Sequence, residues 1–138
     1  MENKEKINFI KDWILNYTDT MPVNAKSLII GISGGIDSSV SSTLCAMTGL
    51  KTIILSMPIR QKSDQHDLSL KHQEWLLKNF KNVEAYTVNL DKLFTEFNST
   101  LINFDDEHGM TNSRARLRMT TLYQVAAAHK GIVVGTGN

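Results

Sequence analysis

A turn rich in glycine and serine separates an apolar run from a helical segment, and this feature restricts the fold most. Residues 28–30 (LII) lead into residues 31–39 (GISGGIDSS), and residues 40–47 have helical character. A strand, a small-residue turn and a helix N-terminus form an anion cradle, because backbone N–H groups and the positive end of the helix dipole meet there. Gly34 and Gly35 let the backbone approach a phosphate closely, since neither carries a Cβ atom.

The polar side chains of this turn add to its capacity to bind a nucleotide. Ser33, Ser38 and Ser39 supply hydroxyl donors, and Asp37 is a hard oxygen ligand of the kind that Mg²⁺ prefers. The string is not a Walker loop, because no lysine follows the glycines, and it is not the G-x-G-x-x-G pattern of dinucleotide-binding folds. The alternative, a strand–helix turn that binds nothing, requires neither the serines nor the aspartate.

Composition restricts the class of protein. The chain has 138 residues, 41% of them hydrophobic and 21% charged, as in an ordinary globular domain with its own core. A net charge of +1 gives no reason to expect a nucleic-acid partner. No stretch approaches the roughly 20 apolar residues of a membrane span, and the charged N-terminus does not resemble a signal peptide. The single cysteine, Cys45, is expected to be packed in the core. One cysteine, no membrane-spanning stretch and no signal-peptide pattern together predict a cytoplasmic protein without membrane contact.

Apolar runs alternate with helical patterns along the whole chain. Strands that are apolar on both faces predict an α/β fold, a Rossmann-like three-layer α/β/α arrangement around a parallel sheet. Right-handed crossovers then place residues 31–39 at the carboxyl edge of the sheet. Because the chain ends just after an apolar strand, we expect residues 1–138 to be a domain that lacks its C-terminal portion. The predicted elements are helix 3–18, strand 27–32, a helix ending near Gly49, strand 51–57, a helix capped by Asp64 and ending near residue 80, strand 83–88, helix 89–104, polar loop 105–110, helix 113–129 capped by Thr111 or Asn112, and strand 131–136.

A second distinctive stretch carries three arginines at alternate positions of the last predicted helix. At 100° per residue, Arg114 and Arg118 share one face while Arg116 points to roughly the opposite side. Arginines on a helix that begins at a sheet edge suit planar, bidentate binding of phosphate or carboxylate, although a solvated basic face is the plainer alternative. The apolar stripe expected to dock this helix on the sheet consists of Ala115, Met119, Leu122 and Ala126.

Both motifs resemble those of one enzyme family. The string S-G-G-x-D-S at residues 33–38 resembles the PP-loop of the ATP pyrophosphatase superfamily, whose fold is of the adenine nucleotide alpha hydrolase type. The string N-x-x-A-R-x-R-M at residues 112–119, with V-V-G-T-G-N at residues 133–138, is similar to NAD synthetase in its ammonia-dependent form. The resemblance covers essentially the whole chain.

The resemblance implies a ligase that forms a C–N bond in the last step of NAD biosynthesis. ATP and Mg²⁺ would activate nicotinic acid adenine dinucleotide (deamido-NAD) as an acyl-adenylate, which ammonia converts to NAD with release of AMP and pyrophosphate. It also implies a homodimer. By family role, Ser33 and Asp37 would be catalytic, Asp37 would bind the metal, and Arg116 would bind deamido-NAD. The residues implied to bind ATP are Gly31, Ile32, Ser33, Gly34, Gly35, Ile36, Asp37, Ser38 and Thr136.

Several features leave alternatives open. Family members often continue into a Ser-Glu pair and a mobile loop with a lysine, and these are not in this chain, so we expect half of an active site. Arg60 and Lys62 differ from the relatives and are more typical of a solvated loop than of a phosphate contact. Arg118 matches a binding role in the family less clearly than Arg116 does, and a structural role is its alternative. The four histidines, the acidic residues 105–107 and the two tryptophans are interpreted as structural or solvated. Rival functions are another PP-loop enzyme, such as a GMP synthetase or a tRNA-modifying enzyme, and a nucleotide-binding module without catalysis.

Overall fold

A central parallel sheet with helices on both faces forms the molecule. The computed structural model describes residues 2–59 and 63–136, without the side chains of residues 63–65. A 3-10 turn, Ile102–Phe104, follows the fourth helix. The elements in chain order are α1 (Asn3–Thr20), β1 (Ser27–Ile32), α2 (Ile36–Met47), β2 (Lys51–Ser56), α3 (Ser63–Asn79), β3 (Val83–Thr87), α4 (Asp91–Thr100), α5 (Glu107–Ala128) and β4 (Gly131–Val133).

The strand order is β3-β2-β1-β4, and every neighbouring pair is parallel. Strand β1 pairs with β2 from Ser27 opposite Lys51 to Ile32 opposite Ser56. On its other side, β1 pairs with β4, where Val133 lies opposite Ile29. The carboxyl ends of β1, β2 and β4 therefore lie together at one edge, and the turn after β1 lies at that edge.

Alternate residues of the strands fill two separate cores, which is why these strands are apolar on both faces. One core holds Ile29 and Ile53 against Phe94 of α4 and Leu122 of α5. The other lies on the opposite face of the sheet, where Cys45 of α2 and Leu76 of α3 pack on Leu28, Ile30 and Ile54. This confirms the predicted three-layer α/β/α fold.

The predicted strands are confirmed, with shorter C-terminal ends for β2, β3 and β4. The N-terminal helix and the helix after the glycine turn are also confirmed, and Gly49 ends the latter with a positive φ of 80°. The predicted cap Asp64 is wrong, because α3 already begins at Ser63. The predicted helix 89–104 is divided into α4 and the 3-10 turn. Within the described residues, no helix is both long and apolar enough to cross a membrane.

The start of α5 differs most from the prediction. The helix begins at Glu107, so neither Thr111 nor Asn112 caps it, and most of the predicted loop 105–110 is helical. Asp106 is the N-cap: its Oδ2 atom accepts a hydrogen bond from the Gly109 N–H at 2.7 Å. The carboxylate satisfies an N–H group that would otherwise have no partner in the first turn.

We expect Asp106→Ala to lower the free energy of unfolding by about 1 kcal/mol, because the α5 N-terminus loses its capping acceptor. Asp105→Ala is the matched control, since Asp105 is an exposed neighbouring carboxylate that lies before the helix. Urea denaturation followed by circular dichroism measures both variants. Equal losses in the two variants would contradict the capping role.

Two of the four residues predicted to dock α5 on the sheet are buried, and the other two are exposed. Leu122 and Ala126 are buried in the core as predicted, but Ala115 is exposed and Met119 is 43% exposed. Leu117 and Val125 pack against the core in their place. The buried face of α5 therefore includes Met110, Leu117 and Leu122, whereas Ala115 and Met119 lie outside it.

Candidate nucleotide-binding site

The loop between β1 and α2 has the backbone geometry of an anion cradle. Gly34 has a positive φ of 90°, a conformation that a residue with a Cβ atom adopts only at a cost. The N-cap of α2 is Gly35, whose backbone is extended and which supplies no capping side chain. The first-turn N–H groups of Ile36, Asp37 and Ser38 have no intrahelical partner, by the geometry of any α-helix. The N-terminus of α2 thus offers donors and a positive dipole end to an anion.

The serines brace this loop from within. The buried hydroxyl of Ser38 accepts a hydrogen bond from the Ser33 N–H at 3.1 Å and donates to the Gly35 carbonyl at 3.2 Å. The Ser39 hydroxyl donates to the same carbonyl at 2.9 Å. The Gly35 N–H donates to the Ser33 hydroxyl at 3.3 Å. Serine hydroxyls therefore accept from the Ser33 and Gly35 N–H groups and donate to the Gly35 carbonyl. Ser38 and Ser39 thus hold the shape of the cradle in addition to being hydroxyl donors.

Asp37 lies in the first turn of α2 with its carboxylate exposed beside the cradle. The described part of the chain holds no group of three His, Cys, Asp or Glu side chains placed to share a metal ion. Mg²⁺ is commonly held by one or two carboxylates together with substrate phosphates and water, rather than by a cage of protein ligands. A single exposed carboxylate next to a phosphate cradle fits that donor set.

Thr136 shares the sheet edge with this loop. It follows β4, and the N–H of Val134, the residue directly after β4, donates to the Ile29 carbonyl of β1 at 2.8 Å. Gly31 also lies in close packing: a Cβ atom on it would approach Met57 Cε to 3.0 Å. The structure thus brings residues 31–38, Thr136 and the end of β2 together. Arg60 and Lys62 lie outside the described residues.

Arg116 faces a different surface. Its side chain is exposed, and it lines an open groove of about 550 Å³ along α5. Both apolar and polar side chains line the groove, which suits a ligand with an aromatic ring and hydrogen-bonding groups. Its lining residues are Arg116, Met119, Thr120, Tyr123, Gln124 and Ala127.

Arg114 and Arg118 share the opposite face of α5, as the helical spacing predicts. Arg118 is half-buried, and its Nε–H donates to the Met57 carbonyl oxygen at 3.0 Å. Burial lowers the pKa of Arg118, and the charge of Arg114 lowers it further. The Arg114 guanidinium lies over the Phe94 ring, 5.5 Å from its centroid. The sequence did not indicate the Met57 contact, because it joins residues 61 positions apart.

His72 and Trp75 contact each other on the α2–α3 side of the sheet. His72 Nε2 lies 2.9 Å from the Ser42 hydroxyl, and burial lowers the pKa of this imidazole. Trp75 stacks on His72 with ring centroids 5.9 Å apart. Trp13 and Trp75 are 57% and 48% exposed, so neither is a core residue.

Cys45 is fully buried between α2 and the sheet, and burial raises the pKa of its thiol to about 12. The thiolate is the reactive form, so the folded protein should react with a disulfide reagent at pH 8 only when it unfolds. We expect no detectable thiol in native buffer and one thiol per chain in denaturant. Because the chain has a single cysteine, rapid native reaction would contradict this packing.

Comparisons with known proteins agree with this geometry. The model of the NAD synthase family matches residues 6–138. The chain is 36% identical to the NH(3)-dependent NAD(+) synthetase of Mesoplasma florum, over 100% of the chain and 55% of the relative. It is 33% identical to the corresponding protein of Carboxydothermus hydrogenoformans, over 98% of the chain and 55% of the relative. The chain spans about half the length of these curated relatives.

Solved structures give the same result. The structure of NMN synthetase from Francisella tularensis superposes with a TM-score of 0.80 at 33% identity, over 98% of this chain and 52% of that one. The NH3-dependent NAD synthetase from Campylobacter jejuni superposes with a TM-score of 0.86 at 26% identity, over 100% of this chain and 58% of that one. The resemblance suggested by the loop and the arginine helix is thereby confirmed, and the chain belongs to the NAD synthase family.

Proposed function

We propose that this protein takes part in the ATP-dependent amidation of deamido-NAD with ammonia, which yields NAD, AMP and pyrophosphate. The observation that carries the proposal is the cradle after β1, where Gly34 has a positive φ and the α2 N-terminus lacks a capping side chain. Membership in the NAD synthase family supports the same reaction. The protein would work in the cytoplasm as a homodimer.

In this reaction the pyridine carboxylate of deamido-NAD attacks the α-phosphorus of ATP. The bond to the β-phosphate breaks, pyrophosphate leaves, and an acyl-adenylate forms. Ammonia then attacks the acyl carbon, which gives the amide, and AMP leaves. Electrostatic repulsion forms most of the barrier, because an anionic carboxylate must approach an anionic phosphate. Positioning of the substrates and electrostatic stabilisation should therefore supply most of the rate enhancement.

Each candidate site residue would have a separate role in binding the substrates or the metal ion. The N–H groups of residues 36–38 at the N-terminus of α2 would bind the departing pyrophosphate, and Thr136, in the segment after β4, would contact ATP. Asp37 would hold Mg²⁺, which neutralises phosphate charge when bound. Arg116, exposed in its groove on α5, would bind deamido-NAD.

The likeness to the Francisella tularensis NMN synthetase favours a second candidate substrate, nicotinic acid mononucleotide. The two substrates share the pyridine carboxylate and differ in the adenylate half. We propose deamido-NAD as the main substrate, and the assay below separates it from the mononucleotide.

The test is product analysis by liquid chromatography after incubation with ATP, Mg²⁺, an ammonium salt and either pyridine nucleotide. We expect NAD, AMP and pyrophosphate in equal amounts from deamido-NAD. Formation of NMN alone would move the assignment to the mononucleotide. Formation of ADP and phosphate, or binding of ATP without binding of either pyridine nucleotide in calorimetry, would contradict the proposal and favour a different enzyme or a non-catalytic module.

A further inference from the structure

Arg118 retains hydrogen-bonding capacity that its protein surroundings do not use. A guanidinium has five N–H donors, and here Nε donates to the Met57 carbonyl at 3.0 Å. Among the described residues, none accepts a hydrogen bond from its two Nη groups. The contact through Nε fixes the side chain and leaves the edge formed by the two Nη groups, which is the edge that binds a planar oxyanion in a bidentate manner.

The charge around Arg118 is unbalanced. Arg114 lies one helical turn away, close enough for its charge to disfavour the protonated form of Arg118. Among the side chains that the structure describes (residues 2–59 and 66–136), no carboxylate lies within ion-pair distance of either guanidinium, whereas Lys51 and Glu84 form a 3.1 Å ion pair elsewhere. Two half-buried cations side by side are unfavourable unless an anion accompanies them.

Arg118 is joined to the sheet edge that carries the nucleotide cradle. Met57, which accepts from Arg118, directly follows β2, and the β2 residue Ser56 pairs with Ile32 at the end of β1. The Met57 side chain also packs against Gly31, the residue before the cradle. The hydrogen bond from Arg118 therefore fastens α5 to the sheet edge where we propose that ATP and the acid substrate react.

We propose that the Nη edge of Arg118, with Arg114 beside it, binds an oxyanion of the reacting substrates, either the pyridine carboxylate or a phosphate of ATP. The inference rests on the proposed function and adds to it a second anion site, distinct from the loop after β1 and from the Arg116 groove. It assigns a ligand-binding role to a residue for which the sequence left binding and structural roles open.

Calorimetric titration of Arg118→Gln tests the site with two pairs of ligands. Deamido-NAD and NAD differ at the pyridine carboxylate, and ATP and adenosine differ in the triphosphate. We expect the dissociation constant of deamido-NAD or of ATP to rise about tenfold or more, as for loss of a charge-assisted bidentate contact. The dissociation constant of the matching ligand that lacks the carboxylate (NAD) or the triphosphate (adenosine) should be unchanged. The pair that responds identifies the source of the oxyanion. Lys92→Gln, which removes an exposed cation of α4, is the charge-matched control and should change neither pair.

The remaining outcomes are equally decisive. Unchanged binding of both deamido-NAD and ATP would overturn the site and leave Arg118 as a tether to Met57. Equal weakening of both members of a pair (deamido-NAD with NAD, or ATP with adenosine) would do the same. If Arg118→Gln does not fold, Arg118→Lys, which keeps the charge but lacks the planar fork, should lose affinity for the same anion alone. If the unaltered protein binds neither ATP nor deamido-NAD, the proposed function itself fails, which is a different result from normal binding by the variants.

Discussion

Replacement of Asp37 by alanine should reduce ATP-dependent amidation by about a hundredfold or more while the protein remains folded. Loss of a metal ligand beside a phosphate cradle removes several kcal/mol of charge stabilisation, which corresponds to at least this factor in rate. The carboxylate is exposed in the first turn of α2, so it makes little contribution to the core. Loss of its interaction with the helix dipole should lower the free energy of unfolding by roughly 0.3–1 kcal/mol.

Three measurements test this prediction together. Pyrophosphate release is followed as a function of Mg²⁺ concentration, binding of Mg²⁺ with ATP by calorimetry, and stability by urea denaturation. Asp67→Ala removes an exposed carboxylate from α3 and should retain the full rate. Unchanged turnover in Asp37→Ala would refute the metal-binding role.

The Gly34→Ala variant should lose about tenfold or more in affinity for ATP, because the loop can no longer keep the φ of 90° at no cost and an amide contact to phosphate is lost. Backbone strain alone should cost roughly 1–2 kcal/mol of stability. The loop would relieve that strain by changing φ, which redirects the N–H groups on either side of residue 34.

Gly49 provides a matched control for the backbone effect. It also has a positive φ, 80°, but it lies at the C-terminal end of α2, and a Cβ atom there would meet nothing within 4 Å. Gly49→Ala should therefore lose similar stability and bind ATP like the unaltered protein. Equal ATP affinity in the two variants, with equal stability, would show that the loop conformation has no part in nucleotide binding.

The sheet and the cradle could be predicted because their signals are local. Residues 28–30 and 53–55 are continuous apolar runs, as expected for strands that are buried on both faces, and the glycine turn follows the first of them directly. The same local logic predicts that Arg114 and Arg118 share a helix face. These features depend on residues that are close in sequence.

The errors arose where two local interpretations compete or where a contact is distant in sequence. Asp105, Asp106 and Glu107 have the composition of a polar loop, yet an aspartate is equally suited to cap a helix, and only the packed structure selects the second role. The buried face of α5 was also mispredicted, because only the packing of the helix on the sheet selects Leu117 and Val125 over Ala115 and Met119. The bond from Arg118 to the Met57 carbonyl depends on the packing of α5 against the end of β2, which no periodicity encodes.

A structure of the protein determined with ATP and Mg²⁺ is the most direct test of nucleotide binding by the loop after β1. We predict that the β- and γ-phosphates lie within hydrogen-bonding distance of the backbone N–H groups of residues 36–38, with the metal ion bound to the Asp37 carboxylate. ATP bound at another surface, with this loop unchanged and in contact with protein alone, would contradict it.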